Sequence, residues 1–123
     1  MKKPHVNLSN PSQEQLNNLL KKYQTGQYKE AEKLAIFMTK EFPQHQFAWK
    51  VLAAVLKQSG RINESLIACQ KSLKLDPQDS EAHNNLGVIL QELGKLNEAE
   101  VNYRKAIALV PDYAEAYNNL GVI

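Results

Sequence analysis

An all-α fold, built as a stack of helical hairpins, is predicted by three features of this sequence. Glycines at Gly26, Gly60 and Gly94 stand 34 residues apart (60−26, 94−60). Prolines at Pro43, Pro77 and Pro111 keep the same stride, and EAHNNLGVI at residues 81–89 returns as EAYNNLGVI at 115–123, again after 34 (115−81). Between these marks the apolar residues recur at three- and four-residue steps, the spacing of one helical face, and no alternating strand pattern occurs. A fixed period of this length is the mark of a repeat array.

The elements follow in order. Leu16, Leu19, Leu20 and Tyr23 make a first helix, opened by Asn10 or Ser12 with Gln13 or Gln15 three residues on, the spacing of a capping box. Tyr28, Ala31, Leu34, Ala35 and Met38 make a second. Phe47, Trp49, Val51, Leu52, Val55 and Leu56 line a third, which Gly60 ends, because glycine takes the left-handed cap conformation cheaply. Ile62, Leu66, Cys69 and Leu73 form a fourth, and Pro77 closes the unit because proline cannot continue a helix interior. Leu86, Ile89, Leu90 and Leu93 repeat the first-helix pattern. Leu96, Ala99, Tyr103, Ala106 and Ile107 repeat the second, and Tyr117 and Leu120 begin a last helix.

The units run over residues 12–45, 46–79 and 80–113, with a partial unit at 114–123, about three and a third repeats in all. A leader over residues 1–11 is expected to be flexible. One hairpin has too little core to stand alone, so its apolar faces are covered by its neighbours, and identical interfaces call for identical residues. Gly87 and Gly121 are expected where the two helices of a unit cross, with Ala99 as the matching small residue. Leu120, Val122 and Ile123 lack a following hairpin to cover them. The expectation is therefore a fragment of a longer protein, with self-association through the uncapped last helix as a secondary expectation.

Composition narrows the function classes. Of 123 residues, 43% are hydrophobic and 23% charged, ordinary values for a soluble globular protein. The longest apolar run is far short of the roughly 18 residues of a membrane span. The start, MKKPHVNLSNP, has no apolar segment behind its lysines, so a cytoplasmic location is expected and no membrane partner. A single cysteine, Cys69, rules out an internal disulfide. The net charge is +2, but residues 1–75 carry 12 Lys+Arg against 5 Asp+Glu and residues 76–123 carry 3 against 8, or +7 followed by −5. A solvated lopsided surface explains this, and so does a basic patch that attracts an acidic segment. The basic half lacks interleaved aromatics, which argues against nucleic acid.

No catalytic or metal-binding constellation is found, and no cofactor is expected. His5, His45 and His83 lie in the leader, in a turn and in a core slot. No HExxH spacing or glycine-rich phosphate loop occurs. Cys69 takes the slot of Tyr103 on an apolar face and reads as a small hydrophobe. Glu98 and Glu100 fall on different helical faces.

The second unit offers Trp49, Leu52, Ala53, Leu56, Ser65, Cys69 and Pro77 in order; the third offers His83, Leu86, Gly87, Leu90, Ala99, Tyr103 and Pro111. The fourth begins Tyr117, Leu120, Gly121, while the first keeps only Gly26, Ala31 and Pro43. This order resembles the tetratricopeptide repeat (TPR). The resemblance implies a right-handed superhelical solenoid of antiparallel helix pairs, with partner peptides lying in a concave groove lined by the first helices. By that resemblance the peptide-binding residues are Leu16, Tyr23, Lys50, Lys57, Asn84, Asn85, Gln91, Asn118 and Asn119. An asparagine amide both donates to and accepts from a peptide backbone. Asn85 and Asn119 resemble the asparagine ladder of the O-linked N-acetylglucosamine transferases. Leu16 and Leu20 stand where the family's carboxylate clamp needs polar groups, so that specificity is not expected. The function implied is a protein–protein interaction module. The alternative is the N-terminal substrate-docking arm of a larger bacterial enzyme of glycosyltransferase or sulfotransferase type, whose leader repeats QFAWKVLAAVLKQSGRINESLIACQKSLKLDP resembles.

Overall fold

The structure, a computed structural model, describes residues 10–123. Seven helices follow one another: α1 (Gln13–Gln24), α2 (Tyr28–Glu41), α3 (Gln46–Gln58), α4 (Ile62–Leu75), α5 (Ser80–Glu92), α6 (Leu96–Leu109) and α7 (Ala114–Gly121). No strand occurs among the described residues. Apart from Asn10 and Pro11, the leader expected to be flexible lies outside them.

The caps set the helix ends. Ser12 Oγ accepts the Gln15 N–H at 3.0 Å while Gln15 Oε1 accepts the Ser12 N–H at 2.8 Å, so the capping box is made by this pair rather than by Asn10 or Gln13. Gly26, Gly60 and Gly94 have φ of +77°, +83° and +77°. A β carbon at any of them would meet nothing within 4 Å, so the left-handed conformation, not space, calls for glycine. The N–H groups of the following residues, Gln27, Arg61 and Lys95, reach back to the Lys22, Leu56 and Leu90 carbonyls at 2.8, 2.9 and 2.9 Å, which closes each helix.

Each helix packs on the next in the chain. In addition α1 touches α3, α3 touches α5 and α5 touches α7, whereas α2, α4 and α6 do not touch one another. The first helices are therefore close neighbours and the second helices are splayed. A stack built this way bends, with α1, α3, α5 and α7 on its inner side. The all-α solenoid read from the repeat period is the architecture found.

The core sits between the two rows of helices. Ala31, Ser65 and Ala99, one stride apart, are all fully buried, and the Ser65 hydroxyl donates to the Ala53 carbonyl at 2.7 Å. Tyr103 is the largest side chain with no exposure. A β carbon on Gly87 would lie 2.4–2.9 Å from its ring, so Gly87 makes room for an aromatic side chain and not, as expected, for the neighbouring backbone. Gly121 has nothing within 4 Å, and the crossing role expected of it is not seen. His83 is packed, with ring nitrogens 2.8 Å from the Pro77 carbonyl and 3.2 Å from Asn102 Oδ1. Trp49 donates its indole N–H to the Pro43 carbonyl at 3.0 Å, tying α3 to the turn before it.

Candidate peptide-binding groove

The inner row lines two adjoining hollows. One, of about 210 Å³, is walled by Lys50, Ala54 and Lys57 of α3 and by Asn85 and Val88 of α5, and it reaches Cys69 and Ser72 of α4. The other, of about 240 Å³, is walled by Leu20 and Tyr23 of α1, Phe47 and Val51 of α3, and Glu81 of α5. Tyr23, Lys50, Ala54 and Asn85 line both, so the two make one continuous groove across three repeats. Tyr23 and Tyr28 stack at a tilt with ring centroids 5.7 Å apart, which fixes the Tyr23 ring at the groove wall. Burial first, then the nearby Tyr28 and Glu81, pushes the Tyr23 hydroxyl pKa up, so it is a hydrogen-bonding phenol at neutral pH.

The charged groups of the groove are already paired. Lys50 Nζ lies 3.0 Å from Asp79 Oδ2 and 2.6 Å from Glu81 Oε1. Asp79 also caps α5 through the Ala82 N–H at 3.1 Å and accepts from Gln46 Nε2 at 2.8 Å. Burial alone would raise the Asp79 pKa, but the bond from Lys50 and the Ala82 N–H outweigh it and hold this carboxyl below the usual range. Burial alone would lower the Lys50 pKa, and the bonds to Glu81 and Asp79 reverse that, holding it above the usual range. Lys57 Nζ stands 3.5 Å from Glu92 Oε1. The basic patch expected to draw an acidic segment is thus neutralised from within at this surface.

The fold brings only some of the predicted groove residues together. Tyr23, Lys50, Lys57 and Asn85 are brought together in the hollows. Gln91 is half-buried, and its Oε1 accepts the Tyr103 hydroxyl at 2.7 Å. Asn84 is fully buried, contrary to a groove position: its amide donates to Glu115 Oε2 at 3.1 Å and accepts from Asn119 Nδ2 at 3.0 Å. This is the same inter-repeat tie as Lys50–Glu81, one stride on (84−50 and 115−81 are both 34). Asn119 is therefore committed to Asn84, while Asn118 is exposed on the last helix. Leu16 packs against the core.

The groove expected from the sequence is mostly polar, with Leu16 its one aliphatic member, and leaves out Ala54 and Val88. Leu20, Ala54 and Val88 all face the hollows and are one stride apart. Their recurrence at a partly open position was the available signal. Cys69 is buried and its thiol is pushed up to about 12, first by burial and then by Asp79, so it packs as an inert side chain. Among the described residues no three His, Cys, Asp or Glu side chains gather to hold a metal, and no helix is long and apolar enough to cross a membrane.

A curved double row of helices, each hairpin packed on the next, defines a helical-repeat protein. Family models agree: those for the tetratricopeptide repeat match residues 48–79 and 68–101, and one for the TPR repeat matches 89–123. Together they span 48–123, more than half of the chain, and the chain belongs to the tetratricopeptide repeat family. A sequence comparison with curated proteins returns no match. Among solved structures, the first TPR of Spaghetti (RPAP3), bound to the HSP90 peptide SRMEEVD, superposes with a TM-score of 0.85 at 22% identity, covering 94% of each chain. The type III secretion chaperone SycD of Yersinia enterocolitica, in complex with a peptide of the translocator YopD, gives 0.80 at 18%, covering 90% of this chain and 93% of that one. A mutant O-GlcNAc transferase of Thermobaculum terrenum gives 0.83 at 22%, over 88% of this chain and 21% of the transferase. At these identities the likeness is one of fold.

Proposed function

We propose that residues 12–123 act as a cytoplasmic docking module that holds an extended peptide segment along the inner row of helices. The observation that carries this reading is the continuous groove over α1, α3 and α5, in which apolar Leu20, Ala54 and Val88 alternate with Tyr23 and Asn85. Apolar contacts supply affinity, and the Asn85 amide, which makes no side-chain hydrogen bond among the described residues, can pair with a peptide backbone. Structural relatives whose names record bound peptides support the same reading. Lys50 and Lys57 contribute aliphatic stems and a fixed charge pattern rather than unpaired positive charge. Asn84 and Gln91 act on the wall from behind, by holding α7 and Tyr103. Asn118 and Asn119 extend the inner row beyond the hollows.

Panning a random peptide library on the purified chain tests this. Selected peptides should lose about tenfold in affinity with Asn85→Ala and be unaffected by Ile67→Ser on the exposed face of α4. Binding sensitive to Ile67 and indifferent to Asn85 would remove the groove reading. A second reading, a substrate-docking arm ahead of a glycosyltransferase or sulfotransferase domain, is supported by the overlap with part of the Thermobaculum transferase. Detection of the native gene product by immunoblot distinguishes the two, since the arm requires a product far longer than 123 residues. Self-association through Leu120 and Val122 predicts a mass that rises with concentration in light scattering.

A further inference from the structure

The three hairpins fill one internal position with different pairs of side chains. Residues one stride apart give Leu19 with Ala35, Ala53 with Cys69, and Gly87 with Tyr103 (53−19, 87−53, 69−35 and 103−69 are all 34). The first and third pairs match one large side chain with one small. The second combines two small ones. In the third hairpin the Tyr103 ring lies over Gly87 and its hydroxyl reaches Gln91 Oε1 at 2.7 Å. The equivalents of these three residues in the second hairpin are Ala53, Cys69 and Lys57, and all three line the hollow of about 210 Å³. By that stride the hollow stands at the position where the third hairpin places the Tyr103 ring, here lined by Ala53 and Cys69 and joined to the groove.

We propose that this hollow is an anchor pocket for one aromatic side chain of the docked segment, flanked there by lysine or arginine. The inference rests on the groove reading above. Size supports it, since an apolar cavity of about 150 Å³ already admits a benzene ring. Charge supplies the flanks. Lys50 pairs with Asp79 and Glu81, Lys57 pairs with Glu92, and Glu115 lines the hollow, a local balance of −2 (2−4). Acidic flanks would meet like charge and basic flanks would meet opposite charge.

The test transplants the third hairpin's solution into the second. Ala53→Gly with Cys69→Tyr should fill the hollow as Gly87 and Tyr103 do, raise the melting temperature, and weaken library-selected peptides about tenfold or more. Ala54→Phe, which narrows the mouth without touching the buried pair, should weaken them in the same way and serves if the double variant does not fold. Selected peptides should share one aromatic residue with basic neighbours, and its replacement by alanine should cost a similar factor. Binding undiminished by both the filled hollow and the narrowed mouth overturns the pocket, as does a selected set with no fixed aromatic. Peptides that weaken with Asn85→Ala but with neither the filled hollow nor the narrowed mouth leave the groove standing and remove only the anchor. A library that yields no binder removes both.

Discussion

At the scale of single residues the fold depends on matched sizes rather than on apolar character alone. Gly87 is needed because Tyr103 occupies the space of its β carbon at 2.4 Å. Gly87→Ala should therefore destabilise the chain by about 1–3 kcal/mol, as overpacking of a filled core does, and Tyr103→Phe by about 1 kcal/mol through loss of the bond to Gln91. Urea denaturation measures both. A Gly87→Ala chain as stable as the parent would show that the ring has somewhere else to go. Residue types were legible here where the reason was local: the left-handed glycines and the Ser12–Gln15 box follow from short-range backbone needs. The spending of Gln91 on Tyr103 and of Asn84 on Glu115 was not, because each pairing joins residues on different helices.

At the scale of elements, the ties between successive first helices set the wall of the groove. Asp79 caps α5 and binds Gln46 and Lys50 of α3, so it holds two repeats in register. Its folded pKa lies below the unfolded value, so its contribution is complete above the unfolded carboxylate pKa and is lost as pH falls through the folded one. The folded pKa of Lys50 lies above the unfolded value, so its contribution is complete below the unfolded lysine pKa and is lost as pH rises through the folded one. Asp79→Asn keeps a capping side chain and loses the charge. It should cost about 1 kcal/mol at neutral pH and flatten the fall in stability between about pH 5 and pH 3. Thermal melts across that range check it, and an acid limb that is the same in the variant would contradict the assignment. The helices themselves were legible because glycine and proline punctuate a strict period. The neutralisation of Lys50 and Lys57 was not, since a tally of charge along the chain separates lysines from carboxylates that the fold brings within 2.6–3.5 Å.

At the scale of the molecule, bending follows from contact between first helices and its absence between second helices. Stability should then be spread along the stack. Removing residues 12–45, which carry α1 and α2, should lower the urea m-value by about a third and uncover Val51 and Val55. An unchanged m-value would mean that the first hairpin does not share the common core. The inner groove could be placed on the first helices from the repeat resemblance, but its depth could not: the hollow beside Cys69 depends on two small residues meeting from different helices. The most direct test of the account is an amide NMR titration of the whole chain with a library-selected peptide. Shifts should be confined to the inner row and be strongest near Tyr23, Ala54, Asn85 and Val88. Shifts centred instead on Ile67 and Val101, exposed on the outer row, with the inner row silent, would contradict it.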